Sequence, residues 1–188
     1  MWGHEYDAIK KEQRRRALRW GIILIILLAL LAIPISTYFE LSRSERQLLS
    51  AARNGDVPQA ERALAAGANP NIVNRRGLTA LHVAAWHGRT GVARALIRAG
   101  ADVNVRGGHA GETPLHAAAR ANQPEMVILL LGAGARTSLR TLGESDPDIR
   151  GNRHPAGMTA GEIAAAAGFD GVSRLLPGTR GEYPDPQP

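Results

Sequence analysis

The sequence predicts an all-α protein: a short solenoid of three to four helix-turn-helix repeats after one N-terminal transmembrane helix. Three observations predict it. An uncharged stretch runs from Trp20 to Phe39, and about twenty helical residues suffice to cross a bilayer. A small-residue motif then recurs at an offset of 33 or 34 residues. Each strong recurrence has a hydroxyl where a helix would start and a glycine where one would stop.

The membrane segment comes first in the chain. Between Trp20 and Phe39 lies a dense run of Ile, Leu and Ala. Trp20 at one end, and Tyr38 and Phe39 at the other, fall where aromatic rings favour the two interfaces. Pro34 lies near the outer end, where loss of one helical hydrogen bond matters least. Lys10, Lys11, Arg14, Arg15, Arg16 and Arg19 precede the stretch, whereas Arg43 and Arg46 after it are balanced by Glu40 and Glu45. This asymmetry puts residues 1–19 in the cytoplasm as a basic tail and sends the repeats to the non-cytoplasmic side. The absence of Cys and of any Asn-x-Ser/Thr acceptor suits a bacterial inner membrane with the repeats facing the periplasm. Two other readings stay open. Ile22 to Ile33 has the length of a signal-peptide core, and cleavage within residues 1–36 would leave a soluble periplasmic or secreted protein, though no small-x-small pair follows the run. A buried soluble helix is the other, and it would need a larger protein around it.

Charge excludes one function class. Residues 1–20 hold six basic and three acidic groups, and residues 40–188 hold seventeen Arg against fourteen Asp or Glu. The folded part is mixed in sign and has no basic run interleaved with aromatics, so no nucleic-acid partner is expected. Without Cys, disulfides and thiolate chemistry are excluded.

The repeats follow the membrane segment. Ala51-Ala52-Arg53-Asn54-Gly55 returns 33 residues on as Ala84-Ala85-Trp86-His87-Gly88. Thr79-Ala80-Leu81-His82 returns 34 residues on as Thr113-Pro114-Leu115-His116, and a fourth copy begins near Gly157-Met158-Thr159-Ala160. Thr79 and Thr113 are suited to cap a helix, and Pro114 then takes the first helical position, where its missing N–H is harmless. The Ala pairs allow helices to approach closely. Val92, Leu96 and Ile97, then Met126, Val127, Leu130 and Leu131, recur at three- and four-residue spacing on a second helix. Gly67, Gly100 and Gly134 stand where a left-handed residue ends that helix. Ser42 with Glu45 and Ser44 with Gln47 read as two overlapping capping boxes before the first helix.

A 33-residue period with Thr-Pro-Leu-His and a terminal Gly-Ala resembles the ankyrin repeat. The resemblance implies a short ankyrin-repeat solenoid over 42–176, with copies at about 44–76, 77–110, 111–137 and 157–176. The outer copies are degenerate, as the ends of a stack usually are. The third interval is longer than the family period by an insertion at 138–156, rich in Asp, Arg, Gly and Pro, which reads as an exposed polar loop. Asn122 replaces the usual Gly between two helices and tolerates left-handed geometry. The tail 177–188 is Pro-rich and reads as disordered.

No His-Glu-x-x-His, Gly-x-Ser-x-Gly or phosphate-loop pattern occurs, so neither enzyme activity, cofactor, metal nor small-molecule substrate is expected. The resemblance implies that His82 and His116 hydrogen-bond backbone and tie adjacent copies together. It also implies a protein partner at the finger-like turns between copies. Arg75, Arg76, Arg106, His109, Arg150 and Arg153 fall there. Trp86 sits where other copies have Arg53, Arg120 and Ala166, so stacking does not demand an indole, and it is a candidate anchor. The reading is a non-catalytic, membrane-tethered adaptor or regulator that binds another protein. Alternatives are an accessory subunit protecting or assisting an envelope enzyme, and a tether whose specific element is the membrane helix.

Overall fold

The computed structural model describes residues 43–144, 147 and 150–176. The expected span 20–39, with Trp20, Pro34, Tyr38 and Phe39, and the tail 177–188 lie outside the described residues. Eight helices are described, in four antiparallel pairs: α1 (Arg43–Asn54) with α2 (Val57–Ala65), α3 (Ala80–Trp86) with α4 (Thr90–Arg98), α5 (Pro114–Arg120) with α6 (Pro124–Gly132), and α7 (Ala160–Ala166) with α8 (Asp170–Ser173). The first helices α1, α3, α5 and α7 stack in order as an inner layer, and the second helices α2, α4, α6 and α8 stack as an outer one. None of these helices is long and apolar enough to cross a membrane.

Small residues set the spacing of the inner layer. Ala51, Ala52, Ala84, Ala85, Ala118 and Ala119 are fully buried, and Leu48, Leu81 and Leu115 fill the space between layers together with Leu96, Met126 and Leu130. Fully burying one such Leu is worth roughly 1.5–3 kcal/mol, and inner and outer helices pack against those of neighbouring copies, so stability depends on the stack rather than on a single copy. Gly67, Gly100 and Gly134 close the second helices with φ of +85°, +88° and +88°. Asn122 takes φ of +52°, as its short amide side chain permits.

No strand occurs among the described residues. Isolated antiparallel bridges at Val73–Thr79, Gly107–Glu112 and Arg140–Thr159 instead close three hairpin fingers. The fingers lie side by side: the Gly108 amide donates to the Gly77 carbonyl at 3.2 Å and the Leu142 amide to that of Ala110 at 2.7 Å. Just past the ends of the second helices two asparagines join successive copies. Asn71 accepts from the Asp102 amide at 2.8 Å and donates to the Gly100 carbonyl at 3.4 Å. Asn104 repeats the clasp one copy later, with Arg136 and Gly134.

Two expectations need correction. Helix α1 begins at Arg43, so Ser44 lies inside its first turn and cannot be the N-cap of a Ser44–Gln47 box. Ser42, of the other box, lies outside the described residues. The insertion 138–156 is not simply an exposed loop. Thr141 and His154 are buried, and the Gly157 amide and Thr141 carbonyl, with the Thr141 amide and Met158 carbonyl, pair across its base at 2.9 Å. A finger extended in this way can fold back on its own stack, which satisfies polar groups that solvent would otherwise have to meet.

Candidate protein-binding surface

Threonine and histidine hold the starts of the inner helices α3 and α5. Thr79 caps α3, and the Nδ1 of His82 lies 3.3 Å from the Thr79 amide and 2.8 Å from its hydroxyl. Its Nε2 lies 3.0 Å from the carbonyl oxygen of Glu112, in the next finger. A carbonyl only accepts and an amide only donates, so the ring is neutral with its proton on Nε2. Thr113 and His116 repeat the arrangement, with Nε2 3.2 Å from the Met158 carbonyl. Burial pushes both imidazoles below their ordinary pKa, against the opposing effect of the carbonyl bond, and His116 falls to about 4. With Nδ1 accepting and Nε2 donating, neither ring offers a lone pair to a metal.

The fourth copy departs from this scheme. Glu162 stands in the histidine position, closes a capping box with Thr159, and meets Arg140 through two bonds of 2.9 and 3.2 Å. Although burial opposes it, the Thr159 amide and the Arg140 guanidinium hold Glu162 below its ordinary pKa. The tie here runs backward to the preceding finger rather than forward to the next.

The inner helices present a row of variable positions. Ser50, Val83, Ala117 and Ile163 are equivalent in the four copies, as are Arg53, Trp86, Arg120 and Ala166. Trp86 is half-buried, with the Arg120 guanidinium 4.4 Å over its ring centre, a cation–π stack. Arg120 itself is only 7% exposed. It donates to Glu112 Oε2 at 3.0 Å and to the Pro147 carbonyl of the inserted loop at 2.7 Å. Beside Trp86, His87 is held below its ordinary pKa by burial and then by the charges of Arg53 and Arg89.

The predicted binding residues divide into two groups. Arg75 and Arg76 are exposed on the first finger, His109 is exposed on the second, and Arg153 is exposed on the inserted loop. Arg106 instead spans two fingers, donating to the Gly111 carbonyl at 3.0 Å and the Arg140 carbonyl at 2.7 Å. The Arg150 guanidinium sits 4.6 Å over Phe169 and donates to the Ala167 carbonyl at 2.6 Å. These two arginines are exposed as well, and differ in being tied to the scaffold by those bonds. Sequence reasoning missed the Glu112–Arg120 pair and the Val83 row. The signal present was Arg120, a long charged side chain closing an otherwise small-residue helix, at the very position where Trp86 drew notice.

Comparison with known proteins agrees with this geometry. A family model described as ankyrin repeats (3 copies) matches residues 48–141. The chain is 37% identical over 118 residues to human cyclin-dependent kinase 4 inhibitor B, covering 61% of this chain and 85% of that protein. It is 36% identical over 97 residues to RelA-associated inhibitor of Mus musculus, covering 52% of this chain and 12% of that protein. It is also 34% identical over 118 residues to BRCA1-associated RING domain protein 1 of Caenorhabditis elegans, covering 57% and 16%. The chain thus spans a small fraction of two of these three relatives.

Proposed function

The chain belongs to the ankyrin-repeat family, whose repeats are protein–protein interaction modules, and from that premise we propose that it is a non-catalytic, membrane-tethered adaptor or regulator. The observation that carries the binding reading is the inner row of α1 and α3. There Val83 and a stacked Trp86 lie beside exposed Arg53, with Arg75 and Arg76 exposed on the neighbouring finger. Aromatic and arginine side chains of this kind are the usual anchors of protein interfaces. Two of the relatives are inhibitors by name, which supports a regulatory rather than catalytic role.

The tether rests on sequence. The uncharged run 20–39 and the six basic residues before Trp20 support a single span with residues 1–19 in the cytoplasm and the repeats, 42–176, on the non-cytoplasmic side. A reporter enzyme active only after export, fused behind Pro188, tests this part. Activity of the fusion supports the topology, and a fusion active only as a cytoplasmic reporter contradicts it. The binding part is tested by affinity capture with the full chain, comparing the parent with a variant that keeps the membrane segment but lacks the repeats. The adaptor reading requires capture to depend on the repeats. A tether acting through its helix predicts the reverse.

A further inference from the structure

We infer that the inner face over the first two repeats takes an acidic segment of a partner protein bearing one apolar side chain. The inference rests on the protein-binding reading above and specifies its site and chemistry.

The inserted loop leaves the finger edge at Leu142 and returns there at Gly157, as the hydrogen bonds at its base require. Between these points Pro147 meets Arg120, at the last residue of α5, and Arg150 meets Ala167 and Phe169, in the turn after α7. Inner helices run from the finger edge to that turn, so Pro147 and Arg150 stand at the far end of α5 and α7 from the base of the loop. Exposure falls along the Ser50 row, while in the Arg53 row it falls to Arg120 and returns at Ala166. In the Ser50 row Ser50 is exposed and Val83 part-buried, while Ala117 is 4% exposed and Ile163 fully buried.

Charge identifies what fits the first two repeats. Residues 43–98 carry nine arginines and three carboxylates, whereas residues 99–176 carry seven arginines and eight carboxylates. The positive excess therefore belongs to the first two repeats alone. Of their three carboxylates, Asp56 caps α2 and Glu61 lies on the outer layer. Arg53, Arg75 and Arg76 are exposed, and planar guanidinium groups recognise carboxylates bidentately. Val83 and the uncovered part of Trp86 supply apolar contact between them. An acidic segment is steered to such a surface, and one apolar side chain fixes its register.

The test is fluorescence anisotropy of the full chain in detergent, with a labelled Glu-rich peptide containing one Phe and a matched Lys-rich peptide. The Glu-rich probe should bind, more weakly as salt rises, and the Lys-rich probe should not. Arg75→Glu with Arg76→Glu, and separately Val83→Glu, should each weaken binding by about tenfold or more. Arg153→Glu, on the inserted loop, should change it by less than about twofold. Equal binding of both probes, no binding of either, or full affinity in the finger double variant overturns the inference. A photo-crosslinking residue placed at position 83 or 128 then separates it from the parent reading. A captured protein that crosslinks at position 83 supports the assignment. One that crosslinks only at position 128, on the outer layer, overturns it while leaving a protein-binding module in place.

Discussion

The Nε2–H of His82 donates to the carbonyl of Glu112 across 3.0 Å, while its Nδ1 accepts from Thr79 at the start of the same helix. One ring thus caps its own repeat and holds the finger of the next. His82→Ala, or His116→Ala one copy later, removes the tie and leaves a buried carbonyl without this donor. Each should lower stability by about 1–3 kcal/mol, read from a thermal melt. Zinc or a chelator should not move the parent's melting temperature, since both ring nitrogens are engaged.

The same rings make stability depend on pH. Burial lowers the folded pKa of His116 from 6.5 to about 4, so between these values the unfolded chain binds the extra proton. Stability is then fully present above pH 6.5 and is lost as pH falls towards 4, by up to about 3 kcal/mol for this residue. Melts at pH 7.5 and pH 5 should show the loss, and His116→Gln should reduce the difference between them. A parent melt unchanged across that range contradicts the neutral, buried ring.

Arg120 and Glu112 form a buried pair, with side chains 8% and 6% exposed. Arg120→Met strands the carboxylate without its cation and should cost about 3–5 kcal/mol, whereas pairing it with Glu112→Gln should recover much of that loss. Denaturant melts of the single and double variants give the answer. Equal losses in both would mean that charge pairing is not what Arg120 contributes.

Much of the fold could be read from the sequence because it is local. Thr79, Thr113 and Pro114 announce helix starts, and Gly67, Gly100 and Gly134 announce ends, through backbone geometry that each residue imposes by itself. The 33-residue period then places the copies. The site was less legible. Arg106 and Arg150 stood at finger positions like Arg75 and Arg76, yet their guanidinium groups meet carbonyls 34 and 17 residues away. Nothing in their local spacing records such contacts. Asn71 and Asn104 stand one repeat period apart in the sequence, but their bonds run between copies and their role emerges only when the copies stack. The inserted loop reads as polar and therefore exposed, although His154 and Thr141 within it are buried.

Two glycines should respond oppositely to alanine. A Cβ at Gly107 would lie 2.8 Å from the Gly77 carbonyl oxygen and 2.8 Å from the His82 ring. Gly107→Ala should therefore force adjacent fingers apart, at about 1–3 kcal/mol. A Cβ at Gly132, the last residue of α6, meets nothing within 4 Å. Gly132→Ala should leave stability unchanged or raise it by up to about 1 kcal/mol. Parallel melts distinguish the two, and a stabilised Gly107→Ala would contradict the close packing of fingers.

The inner row centred on Trp86 is the core of the functional account, and quantitative capture of a partner by the full chain tests it most directly. Trp86→Ala should weaken capture by about 2 kcal/mol, close to thirtyfold, while Ile128→Ser on the outer layer should leave it unchanged. A circular-dichroism melt beside each pull-down must show a cooperative fold for the comparison to count. Loss of capture with Trp86→Ala alone is the result the account predicts. A folded Trp86→Ala protein that captures its partner as well as the parent would contradict it.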